Sequence, residues 1–235
     1  NNDNCVNGEE DKHELLTPSH SPINGVASRP NKSEFFFDLQ MLVSGKNGNM
    51  SFQSISVPRI NARNVIGNYA TANGMTREDV LALSDEDLKN IFLNNGGSLT
   101  GQALTDAAES SLLMVRMSEF DNADDALSYA GEQMKDASFA QKTSALANYL
   151  DYLSDNYEDD MIGEGPTVGE DRWDDDLHSA FSDSMRTGNE MPSGVCRHMH
   201  QMAVRLAREM GIDEAFGVGF RTGGGGHRTM VLTHP

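Results

Sequence analysis

Apolar and polar residues alternate over Phe35, Phe37, Leu39, Met41 and Val43, the period of a half-buried strand. Asn47-Gly48 follows, a pair suited to the positive backbone angles of a tight turn, and then a second β-rich run, "NMSFQSISV". The pattern predicts a hairpin. From residue 61 to about 158 the spacing becomes helical. "MTREDVLALSDEDLKNIFLNNGG" carries two start signals, Thr76 with Asp79 and Ser84 with Asp87, and closes on a Gly pair, as helices often do. "GQALTDAAESSLLMVRMSEF" and "NADDALSYAGEQM" read as further amphipathic helices. "SFAQKTSALANYLDYLSDNY" sets Phe139, Leu146, Tyr149, Leu150 and Leu153 on one stripe, predicting a helix with a single buried face.

Residues 155–176 break the periodicity, with ten Asp or Glu against one Arg. Calcium favours clustered carboxylates, but the EF-hand spacing is absent. The segment reads as a solvated loop leading into a helix start, where acids suit the dipole. That helix is expected over Arg172–Met185, with Trp173, Leu177, Ala180, Phe181 and Met185 apolar. "RTGNEMPSG" then breaks the chain before "VCRHMHQMAVRLAREMG", whose apolar stripe is Met199, Met202, Ala203, Leu206 and Met210. "EAFGVGFRT" reads as a strand, "GGGG" as a turn and "HRTMVLTH" as a second strand, so the glycines suit a hairpin rather than a phosphate site. Ahead of all this, residues 1–32 are rich in Asn, Ser, Pro and Gly. They have too few large apolar groups to order themselves and read as a tail or strap.

Composition narrows the function classes. The chain has 235 residues, 37% hydrophobic and 23% charged, with a formal net charge of −18. A surface of that sign repels phosphate backbones and anionic membranes, so nucleic acid is not an expected partner. It suits a basic partner or divalent cations. No apolar run approaches the ~20 residues that cross a bilayer. The start at Asn1 without Met, the Asn-rich leader and the acidic surface lean towards an exported, secreted or periplasmic protein.

There are two cysteines, Cys5 in the polar leader and Cys196. Two are too few for a disulfide framework, and a tail cysteine rarely pins a helix start, so Cys196 is expected to be a free thiol. Ser193 is a good N-cap, which puts Cys196 in the first helical turn. There, unpaired backbone N–H groups and the helix dipole lower a thiol pKa. The same N–H groups hold an oxyanion after attack on a carbonyl. The competing reading is packing, because Cys196 ends the buried stripe and free Cys is often a small core residue. His227, at the head of the second strand, is a sensible base for the thiol. A zinc site from Cys196 and His200, four apart on one helix face, with His227 or His234, is the weaker alternative.

The ordered set "FSDSMRTGNEMPSGVCRHMHQMAVRLAREMGIDEAFGVGF…GGHRTMVL" resembles the core of the transglutaminase-like superfamily, the papain-like thiol hydrolases and acyltransferases. The counterparts here are Gly194-Val195-Cys196, Gly211, strand 214–222 and His227, spanning roughly residues 138–235. Two features depart from the family's pattern. The residue that orients the His is not found between His227 and Pro235, as in a core cut short, and Arg228-Thr229 stand where Ala-Trp is common.

The resemblance implies a cysteine-proteinase-like core at 138–235; with the polar segment 1–32 and the mostly helical region 33–137 with its β-hairpin, read from the residue pattern, the expected fold is α+β. It implies cysteine-dependent acyl transfer or hydrolysis on an amide, by a peptidase, an amidase or a cross-linking enzyme, with a protein or peptide substrate and no cofactor. Cys196 is then the nucleophile and His227 the general base and acid. Asn189 is a candidate oxyanion donor and His200 lines the cleft. The alternative expectation is an inactive module of the same fold that binds a protein partner.

Overall fold

The computed structural model describes residues 36–44, 50–153, 173–190, 196–213, 215–222 and 225–232. Alternating residues at the front of the chain form β1 (Phe36–Ser44) and β2 (Met50–Pro58). They pair antiparallel, with Phe37 opposite Val57 and Val43 opposite Ser51. Asn47-Gly48, the expected turn, lies outside the described residues, as do the leader 1–32 and most of the acidic 155–176 segment.

Helices follow where caps allow the chain to start and stop. α1 (Ala62–Asn73) opens on Asn61, whose side chain accepts the Asn64 N–H, and ends at Gly74 with φ 65°, a left-handed terminus that glycine adopts without a Cβ penalty. α2 (Arg77–Leu81) begins with a capping box in which Thr76 and Asp79 satisfy each other's backbone N–H. Ser84 caps α3 (Asp85–Asn94). α4 (Gly101–Met117) follows, and Asn122 caps α5 (Ala123–Met134). The chain continues through α6 (Phe139–Leu153), α7 (Trp173–Thr187) and α8 (Cys196–Glu209). β3 (Ala215–Thr222) and β4 (Gly225–Leu232) then form a second antiparallel hairpin.

The core is centred on α6. It packs against α4 on one side and α8 on the other, and also touches α7 and the first hairpin. Every residue from Thr143 to Leu153 is buried. The single apolar stripe expected for this helix is therefore one face of a helix enclosed all round. Several of its polar groups have specific partners, which offsets the cost of burial in low dielectric. Ser144 Oγ donates to the Pro58 carbonyl at 3.3 Å. Asn148 Nδ2 donates to Ser110 Oγ at 3.1 Å, and Ser110 Oγ in turn donates to the Ser144 carbonyl at 3.3 Å. Asp151 forms a buried ion pair with Arg59, just past β2. Tyr149 and Tyr152 stand edge-on to Phe181 of α7, with centroids 5.4 and 5.6 Å away. The α5–α8 approach is close. A Cβ on Gly131 would lie 2.5 Å from the Glu209 carbonyl oxygen, so only glycine fits there.

The expectation of an α+β fold carrying a transglutaminase-like core is not met. The molecule is mostly helical. Among the described side chains, most buried hydrophobic residues are helical, including Phe92, Met114, Leu146, Phe181 and Leu206. The described strands pair only within their own hairpins. β1 passes beside β4, but no ladder joins the two. The physical reason lies in α6. A helix buried on all sides occupies the centre that a central sheet would fill in a mixed fold.

Candidate functional site

Cys196 is the first residue of α8. Its side chain, like that of His227, lies outside what the structure describes, as do residues 191–195 with the proposed cap Ser193. Backbone placement is informative nonetheless. Ala215, the first residue of β3, is tied to the C-terminal end of α8 by Arg208 Nε, which donates to its carbonyl at 2.9 Å. α8 packs against both strands of the second hairpin, with the greater contact on β4. His227 of β4 pairs with Phe220 of β3.

The described part of α8 explains its placement. Met202, Ala203, Leu206 and Met210 are fully buried, and Met199 nearly so. Arg205, off the stripe, bridges Asp174 of α7 at 2.7 Å and also pairs with Asp124 of α5. Ion pairs of this partly exposed kind contribute little energy, but they fix α8 against two neighbours. His198 is 3% exposed and lies against Trp173, with ring centroids 5.0 Å apart. His200 is half-buried, one turn beyond Cys196.

Asn189 is exposed. Its carbonyl oxygen accepts two hydrogen bonds, from Ser184 Oγ at 2.6 Å and from Arg63 Nη1 at 3.1 Å. Arg63 is itself buried and donates to Ser184 Oγ at 2.7 Å, and its guanidinium lies 5.7 Å from the centre of the Tyr152 ring. Arg77 Nη2 donates to the carbonyls of Arg63, at 3.0 Å, and Met185, at 2.8 Å. Its Nε donates to the Arg186 carbonyl at 3.2 Å. Burial, and after it the neighbouring Arg63 charge, lower the Arg77 pKa. Sequence reasoning did not reach this pair of arginines, because their partners on and just after α7 lie more than a hundred residues away along the chain. The one local signal is Gly67, a glycine inside a helix, which marks a close approach. A Cβ there would lie 2.6 Å from Arg77 Nη1.

Two further polar groups are buried in this half of the molecule. His178 Nε2 lies 2.9 Å from the Phe120 carbonyl and so carries the proton. Burial, the largest influence, lowers its pKa against the raising effects of that carbonyl and of Asp175. The Tyr149 hydroxyl is fully buried, and desolvation pushes its pKa up. A shallow depression of about 490 Å³ on α7 is lined by Asp176, Asp183, Thr187, Asn189 and Glu190. Among the described residues no three His, Cys, Asp or Glu side chains are placed to hold a metal ion. No helix among them is long and apolar enough to cross a membrane.

The chain matches no protein-family profile, no curated protein and no solved structure. The reading of function therefore rests on the residues and their placement.

Proposed function

We propose that this protein carries out cysteine-dependent acyl transfer or hydrolysis on an amide, with Cys196 as nucleophile and His227 as general base and acid. What supports the reading is that α8, which begins at Cys196, packs against β4, the strand that carries His227. In this reaction His227 takes the Cys196 proton, and the thiolate attacks the amide carbonyl carbon. The carbonyl electron pair moves to oxygen, where the Cys196 backbone N–H stabilises it. As the C–N bond breaks, the imidazolium gives its proton to the leaving nitrogen. The resulting thioester is resolved by water or an amine, which His227 deprotonates, and the thiolate leaves.

The test is acetylation by p-nitrophenyl acetate near pH 6.5, followed by intact mass and peptide mapping in a Cys5→Ser background. The expected result is a transient acetyl group on Cys196 that forms much more slowly in His227→Ala. Equal acetylation rates in the two proteins contradict the reading. The mostly helical body favours a second reading, a non-catalytic module for a basic protein partner. On that reading Cys196 acylates no faster than an ordinary thiol.

A further inference from the structure

We propose that His178 is an acid-sensitive latch: a proton added at Nδ1 releases the N-terminal half of α7 from the connection between α4 and α5, while the C-terminal half stays fixed. The geometry at the imidazole carries this. His178 is 1% exposed. Its Nε2–H donates to the Phe120 carbonyl at 2.9 Å, in the chain that joins α4 to α5. Ser182 Oγ stands 3.5 Å from the same nitrogen. Nδ1 is buried, and no group among the described residues hydrogen-bonds to it. The neutral ring therefore uses its one N–H. A second proton creates a buried charged donor with no acceptor, which is costly on both counts. Opening lets water take that donor.

Charged and titratable groups lie on each element around the ring. Burial lowers the imidazole pKa more than the Phe120 carbonyl and Asp175, on its own helix, raise it. Glu119 and Asp121 flank Phe120, and Asp124 and Asp125 open α5; all four are exposed, so solvent and salt screen them. On α6, Tyr149 packs on Phe181 as His178 does, and burial keeps its hydroxyl neutral. On α8, Arg205 is held by Asp174 and Asp124, and His198 stacks on Trp173. Burial thus decides the sign: the closed form is fully favoured above pH 6.5 and loses ground as pH falls below it.

The two halves of α7 are held differently. The ties of its first turns include the His178 bond and the Ala123 N–H, which donates to Asp175 at 2.9 Å. They also include the partly exposed Asp174–Arg205 pair, of a kind that contributes little. The far end is held by groups that stay charged throughout. Arg77 donates to the Met185 and Arg186 carbonyls, and Arg63 to Ser184 Oγ and the Asn189 carbonyl. Acid therefore frees α7 from its N-terminal half, and with it the contacts of Trp173 and Asp174 on the flank of α8.

The test is hydrogen exchange read by mass spectrometry in the full chain, from pH 8 to pH 5, with rates corrected for the intrinsic pH dependence of exchange. An imidazole that titrates near 6.5 once open raises the opening equilibrium by at most about 30-fold at pH 5. A rise of several-fold up to that limit is expected in peptides covering 118–126 and 173–182. These should exchange well ahead of 183–190 and of α6, at rates indifferent to low urea, because a local opening exposes little surface. His178→Gln keeps an N–H for the Phe120 carbonyl and does not titrate, so its corrected rates there should not depend on pH. His198→Gln, at a second buried imidazole, should behave as the parent. Dependence that survives in His178→Gln, or that disappears in His198→Gln, overturns the latch. So does a parent with no dependence, or one in which 173–182 exchanges no faster than 183–190 and α6 and accelerates with urea as they do. The parent readouts decide the matter where circular dichroism shows His178→Gln unfolded.

Discussion

Asp151→Ala probes the link between the first hairpin and the central helix. The Asp151 and Arg59 side chains are 3% and 7% exposed and form an ion pair. Removing one partner of a buried pair takes a counter-ion from the other charge in low dielectric, at a cost of about 3–5 kcal/mol. That is a large share of the roughly 5–15 kcal/mol that holds a typical domain folded. For a chain of this size each kcal/mol lowers the melting temperature by roughly 2–4 °C, so a fall of roughly 6–20 °C is expected. Urea denaturation should show a lower midpoint with an unchanged slope, because the surface exposed on unfolding is nearly the same. The double variant Arg59→Met/Asp151→Leu removes both charges and fills the space with apolar groups. It should recover most of the loss, since such replacements are often neutral or stabilising. A loss below about 1 kcal/mol in Asp151→Ala is the behaviour of a solvated surface pair and refutes the placement of Asp151 in the core.

Other consequences follow from single contacts. Gly131→Ala sets a Cβ against the Glu209 backbone. The overpacking cost of about 1–3 kcal/mol outweighs the gain of up to about 1 kcal/mol in helix propensity, and chemical denaturation should show net destabilisation. His178 has a folded pKa below its unfolded value of 6.5, so the unfolded state binds the extra proton. Its contribution is fully present above pH 6.5 and is lost as pH falls from there towards the folded pKa. His178→Phe should flatten the stability–pH curve in that window; a curve identical to wild type would contradict a neutral buried imidazole.

Local signals were readable and long-range ones were not. The starts at Thr76 and Ser84 depend on residues three apart, and both caps are present. The Met199–Met210 stripe of α8 is likewise the buried face. The pattern along α6 marks one apolar stripe and carries no sign that Thr143, Ser144, Asn148 and Asp151 lie inside. They are buried with partners as far as 92 residues away, and no sequence window spans that distance. The fold class failed for a related reason. Two adjacent strands announce a hairpin, but nothing local says whether hairpins join into a sheet or helices take the centre. At the site, Cys196 is legible as a helix start because its context is local. The buried stacking of His198 on Trp173 and the Arg63–Arg77 pair come from tertiary packing alone.

The central claim is the Cys196–His227 pair, and the most direct measurement is the pH at which Cys196 becomes reactive. In a Cys5→Ser background, iodoacetamide labelling is followed from pH 5 to 10, with and without His227→Ala. An unperturbed thiol of pKa about 8.5 is roughly 1% ionised at pH 6.5, whereas one lowered to about 6.5 is half ionised, a difference of roughly 50-fold. The account predicts rapid labelling near pH 6.5 that slows several-fold in His227→Ala, where the helix terminus alone acts on the thiol. Labelling that follows an ordinary thiol in both proteins, or that is absent in both, contradicts it and makes Cys196 a packing residue.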